Sequence, residues 1–212
     1  MILYQCMSGD AAVGEGTFEM DGGALISGNG GLFYTTNTDS SFVIRDVAIT
    51  ASEDCEYFLR VTGNANQRGW GSAGANGANC VFTAIRQDMN GDILWDSVST
   101  LDLYLTEGTV LTGAVIDDES CAGDGGSGSS RVVIDETSTW IVTGDSDVTT
   151  LECAGTIVDS EGRTVTIANA DGSVIVEGDS AWTITVERFS TQADVSGAGA
   201  ISETQAIEWP ND

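Results

Sequence analysis

The sequence predicts an all-β chain wound as a β-solenoid, and three observations predict it. Short runs alternate apolar and polar residues with period two, as in TLDLYLT and WTITVE, which only an extended strand sorts onto two faces. No window of about 11 to 18 residues carries the apolar period of a helix. A serine-led phrase also returns: STLDLYL from Ser99, STWIVTG from Ser138 and SAWTITV from Ser180, at spacings of 39 and 42 residues. Other strand-like runs lie between, so the spacing reads as two circuits of roughly 20 residues, each laying its apolar face on the one before. At about 4.8 Å per circuit, roughly ten circuits make a rod near 50 Å long. A β-sandwich or up-and-down barrel is the alternative, because regularly spaced short strands suit those folds too.

The elements follow in order. FEMDGGALISGNGGLFY (18–34), FVIRDVAIT (42–50) and CEYFLRVTG (55–63) supply strands broken by glycine, asparagine and aspartate. In 99–105 the residues Leu101, Leu103 and Leu105 share one parity, against Asp102, Tyr104 and Thr106. Runs at 131–135, 163–168 and 173–177 precede the closing strand, where Trp182, Ile184 and Val186 face inward. Trp95 and Trp140 also match inward parity and are expected in the core or at an end cap. Two glycine-rich stretches, 63–79 and 117–130, exceed a tight turn and are expected to project as loops from a single solenoid domain spanning 1–212.

Charge bounds the partners. Seven basic residues, all arginine, stand against 33 acidic ones, for a net charge of −26. Such a surface repels nucleic-acid phosphates and anionic lipid headgroups, so neither is an expected partner. No apolar run of about 18 residues is available to span a membrane, and MILYQCMSGD lacks the basic and apolar regions of an export signal. The expectation is a chain whose signal has been removed, or an excised piece. Five cysteines without a CxxC pair argue against a zinc or redox motif. Their spacing allows disulfides such as Cys55 to Cys80 or Cys121 to Cys153, and equally allows reduced core thiols. An odd cysteine such as Cys6 is left to cross-link copies.

Function classes narrow next. The chain has no histidine, which removes Ser-His-Asp and Cys-His nucleophilic catalysis. RGWGSAGANG lacks the lysine and helix start of a phosphate-binding loop. Paired carboxylates leave glycoside hydrolysis as the one open catalytic arrangement, and the reading is that the chain is not an enzyme. Calcium is the ion its carboxylates invite, although no cofactor is required. Asp88, Asn90 and Asp92 alternate like the opening of a calcium loop, but Ile93 stands where that loop needs glycine. Asp117, Asp118 and Asp124 form a second acidic group on a glycine-rich stretch. Solvated turn carboxylates are the simpler explanation of both. Saccharide binding would use exposed aromatic faces, for which Trp70, in the first glycine-rich loop, and the outward-pointing Tyr34 and Tyr104 are the candidates.

A family likeness adds to this. YQCMSGDA (4–11), GGLFYTTNT (30–38), RGWGSAGANGANCVFTA (68–84), NGDILWDSVSTLDLYL (90–105) and DETSTWIVTGDS (135–146) resemble adhesin-like, right-handed parallel β-helix proteins of anaerobic bacteria and archaea, some labelled carbohydrate-binding domain proteins. The likeness covers most of the chain to about residue 158, and the tail departs from it. It implies an extracellular or cell-surface module that binds polysaccharide or serves as an adhesive stalk. The alternative is a structural subunit of a filament or surface layer assembling end to end through solenoid edges, using Ile2-Leu3-Tyr4 and the segment through Trp209.

Overall fold

The computed structural model describes residues 1–5 and 15–203, so Cys6 and Trp209 lie outside the described residues. After β1 (Ile2–Tyr4) the chain makes four similar passes. These are β2 (Glu15–Asp21), β3 (Ala24–Ser27) and β4 (Gly30–Thr36); β5 (Asp39–Arg45), β6 (Ala48–Ala51) and β7 (Cys55–Val61); β8 (Asn79–Ile85), β9 (Asp88–Asn90) and β10 (Ile93–Trp95); and β11 (Thr100–Thr106), β12 (Val110–Thr112) and β13 (Val115–Asp117). Shorter passes follow, β14 (Ser129–Ile134) with β15 (Thr139–Val142) and β16 (Ser146–Cys153) with β17 (Thr156–Asp159). The described chain closes with β18 (Thr166–Asn169), β19 (Val174–Val176) and β20 (Thr183–Ser190). Its one helical element is a single 3-10 turn, Glu119–Cys121.

The fold is all-β with parallel sheets. A five-stranded sheet has the order β1-β4-β7-β10-β13, and a nine-stranded sheet runs β19-β18-β20-β16-β14-β11-β8-β5-β2. A four-stranded sheet, β17-β15-β12-β9, and a two-stranded one, β3-β6, complete it. Within the named strands only β18 and β19 pair antiparallel. A sandwich or up-and-down barrel needs antiparallel neighbours, so that alternative does not describe this chain. The longest parallel run holds eight strands, fewer than the roughly ten circuits that a 20-residue period predicts.

Register stacks like on like. Phe18, Phe42, Phe82, Leu103, Val132, Leu151 and Phe189 occupy one inward column of the nine-stranded sheet. Phe33 and Phe58 meet it from the five-stranded sheet, with Phe82 lying 5.5 Å from Phe33, 5.6 Å from Phe42 and 5.9 Å from Phe58 between ring centroids. Trp140 is fully buried and donates its indole N–H to the Gly113 carbonyl at 2.9 Å. Trp95 is buried and its indole reaches the Asp147 carbonyl.

Corners are turned by single left-handed residues at equivalent places. Gly22, Asp46, Arg86 and Glu107 each follow the last registered residue of β2, β5, β8 and β11, and all have φ between 47 and 69°. Three of the four are not glycine, and the strain of each is partly offset by neighbours: Arg86 bridges Asp46 and Glu107 along the stack.

The passes differ in girth. Leu59 lies 15 residues after Ile44, whereas Ile93, which pairs with Leu59, lies nine residues after Ala84, which pairs with Ile44. The second pass therefore carries six extra residues around the β6 corner. The stack steps inward between β6 and β9, and these strands do not pair.

Candidate functional site

The step between β6 and β9 opens a cleft of about 690 Å³, within the about 300–1,000 Å³ typical of ligand pockets. Ile49 and Met89, the inward residues of the two strands, lie at its base. Thr50, Ser52, Asn90 and Thr112 bring hydroxyl and amide groups, and Glu53 and Asp88 bring carboxylates. Tyr57 lines one side, its ring lying over Gly31, where a Cβ would sit 1.8 Å from the ring. Among the described residues, no basic side chain lines this cleft.

The calcium candidates do not gather into a site. Asp88 and Asn90 share the outer face of β9, but Asp92 turns away, its carboxylate accepting the Ala114 N–H at 2.8 Å. Asp118 caps the 3-10 turn and pairs with Arg60 at 3.4 Å, while Asp124 is exposed. Asp117 instead faces Glu119. Desolvation, then the shared proton and charge of Glu119, push the Asp117 carboxyl up to about 7. Desolvation works against the Glu119 carboxylate as well, but hydrogen bonds from Ser97 and Asp117 outweigh it and lower its pKa. Among the described residues, no group of three or more acidic, thiol or imidazole side chains stands close enough to hold a metal ion. Asp117 and Asp147 line a second cavity beside Trp95, but at about 200 Å³ it is smaller than a usual ligand pocket.

The aromatic candidates divide. Tyr34 and Tyr104 point outward as parity requires, yet both are buried, because other segments lie over them. Tyr34 donates to the Gly63 carbonyl at 3.1 Å and sits under Arg60 and Arg68. The two glycine-rich segments also meet each other, Gly74 donating to the Cys121 carbonyl at 2.9 Å. Asp96, fully buried, anchors the first of them by accepting the Gly63 N–H at 2.8 Å. Trp70 is half-buried and stacks on Tyr4 with centroids 5.9 Å apart and planes 27° apart; Tyr4 is 51% exposed.

Tyr104 is covered by the segment after β20. Asp194 N–H donates to Glu152 and its carbonyl accepts from Arg131, Gly199 N–H donates to the Thr83 hydroxyl, and Ser202 bonds Glu19. Glu152, Val133, Tyr104, Thr83, Val43 and Glu19 are one outward column of the nine-stranded sheet. The segment thus lies across strand after strand, and glycine lets it come close: a Cβ at Gly197 would sit 2.3 Å from the Tyr104 hydroxyl, and one at Gly199 2.7 Å from Val43.

Cys55, Cys80, Cys121 and Cys153 are free thiols, so the pairings Cys55 to Cys80 and Cys121 to Cys153 are not made. Cys55 and Cys80 sit on strands of different sheets, and burial pushes the Cys80 thiol up to about 12. Sequence reasoning missed the cleft because it arises from a difference in girth between two passes. The signal present was SEDCEYF between β6 and Leu59, against only GD between β9 and Ile93, which pairs with Leu59. No family model, curated protein or solved structure matches this chain.

Proposed function

We propose that the chain is a right-handed parallel β-helix acting as a non-catalytic, adhesin-like attachment module, extracellular or on a cell surface, that binds polysaccharide. Four successive passes, from β2 to β13, visit the nine-stranded sheet, then the two- or four-stranded one, then the five-stranded one, which supports a helix of β-strands. The observation that carries the binding role is the Tyr4–Trp70 pair, an aromatic surface at one edge of a rigid stack. Aromatic faces flanked by amides suit sugar rings, and Asn66 and Ser72 lie exposed on the same loop. With a net charge of −26 the favoured ligands are neutral glycans rather than uronates or sulfated chains. Affinity electrophoresis through neutral polysaccharides tests this: the wild-type chain is retarded and Trp70→Ala runs freely. Retardation by none of the polysaccharides, or equal retardation of the variant, refutes it.

A second reading, a structural subunit that assembles end to end, is favoured by one observation. The nine-stranded sheet ends on β19 and β2 without a further partner among the described residues, and Val174 and Ile175 of β19 are 57% and 41% exposed. Electron microscopy of the purified chain separates the two, with discrete particles expected for the attachment module and fibres for the subunit.

A further inference from the structure

The gap between β6 and β9 has the chemistry of a missing strand. In a ladder, successive residues turn their N–H and C=O groups to opposite sides. Ala48 and Ser52 donate to Gly23 and Ser27, on the β3 side, so Ile49 and Ala51 turn their backbone groups into the gap. Across it, Val110 donates to Gln87 and Gly91 to Thr112, on the β12 side, so Asp88 and Asn90 turn theirs into the same gap. Two strand edges, each paired on one side only among the described residues, therefore face each other.

The Gln87 side chain shows what this gap accepts. Its carboxamide oxygen accepts from Val47 N–H at 2.9 Å, and its nitrogen donates to the carbonyls of Val47 and Asp88, both at 2.8 Å. Gln87 is buried, and its amide stands between the two edges as the peptide unit of an intervening strand would. Beyond Gln87 the gap widens into the cleft. The facing edges, Ala48–Ala51 and Asp88–Asn90, are about 10 Å long at about 3.3 Å per residue, room for a strand of about three residues. Glu53 and Asp88 line the cleft without a basic partner, so the complementary occupant is cationic.

We propose that the β6–β9 gap is an acceptor site for an extended peptide strand that carries basic side chains, held by backbone hydrogen bonds to both edges. The site is independent of the Tyr4–Trp70 surface, and its partner is a protein segment rather than a glycan.

The test uses a fluorescein-labelled, end-capped five-residue peptide of alternating valine and lysine, with fluorescence anisotropy at physiological salt. The expected result is saturable binding to the wild-type chain, weakened at least tenfold when the valine nitrogens of the peptide are methylated and at least tenfold when glutamate replaces lysine. Ala51→Pro removes an N–H that faces the gap and takes no part in the β3 ladder, so it should keep the melting temperature and lose at least tenfold in binding. Asp88→Asn, on the exposed face of β9, should weaken binding several-fold and serves if Ala51→Pro does not fold. Equal binding of the methylated peptide shows attraction by charge alone and overturns the proposal. So does unchanged binding by both variants, or no peptide binding at all. Cellohexaose perturbing the backbone resonances of Ile49, Ala51 and Asn90 where the peptide does not also overturns it, in favour of a saccharide cleft.

Discussion

Replacing Phe82 by alanine tests whether the stacked inward column holds this chain together. The ring is fully buried and meets Phe33, Phe42 and Phe58 at 5.5–5.9 Å. Truncating a buried phenylalanine costs about 3–5 kcal/mol, and the three ring contacts place this site in the upper part of that range. At about 2–4 °C per kcal/mol for a chain of this size, the melting temperature should fall by roughly 8–20 °C. Phe18 occupies the same column on the edge strand β2, is only half-buried, and meets Phe33 and Phe42 at 5.9 and 6.3 Å. Phe18→Ala should therefore cost roughly half as much. Guanidinium unfolding followed by circular dichroism measures both, with an unchanged slope expected for each variant. Equal costs at the two positions, or a Phe82→Ala cost below about 1 kcal/mol, would refute the idea that central rungs carry more than terminal ones.

Three further outcomes follow from particular contacts. Because the folded-state pKa of Asp117 is raised to about 7, its protonated form favours folding; that contribution is complete below pH ~4 and is lost as pH rises through ~7. Thermal melts from pH 4 to 8 should fall more steeply for the wild type than for Asp117→Asn, and parallel profiles would contradict the Asp117–Glu119 pairing. Gly31→Ala drives a Cβ into the Tyr57 ring, so it should destabilise the chain by about 1–3 kcal/mol, and adding Tyr57→Ala should recover part of that loss in a double-mutant cycle. Ending the chain after Ser190 uncovers Val43, Thr83 and Tyr104; iodide quenching of tyrosine fluorescence should rise in the shortened chain and not in one that also carries Tyr104→Phe.

Much of the strand content is legible in the sequence, because two-residue alternation is a local property. Leu101, Leu103 and Leu105 are buried as their parity requires, and so is Trp140. The interval between registered strands was not legible. Ser99 precedes β11 in the nine-stranded sheet, but Ser138 precedes β15 in the four-stranded one, so the returning phrase marks similar strand beginnings at different places. Registered partners are instead 24, 40, 21 and 29 residues apart from Glu15 through Asp39, Asn79 and Thr100 to Ser129. The long intervals carry the two glycine-rich segments, which leave the sheets and return without changing register. Corner geometry was hidden too, since Asp46, Arg86 and Glu107 adopt conformations that glycine usually announces. For the candidate sites, parity alone predicted exposed Tyr34 and Tyr104. Long-range covering by Gly63 and by the segment around Gly197 reversed that, and nothing near either tyrosine in sequence reports it.

A linear array of rungs ordinarily loosens from its extremities, since each terminal rung leans on one neighbour alone. The segment from Ser190 to Ser202 alters that here, because it leaves β20, two strands in from the β19 end, and is fastened at Glu19 of β2 at the opposite end. Peeling β2 away releases Ser202, and lifting the segment uncovers Thr83 and Tyr104 in the middle of the array. Fraying at the β2 end is thereby felt at Thr83 and Tyr104, so hydrogen exchange should report one shared opening for the amides of β5, β8 and β11.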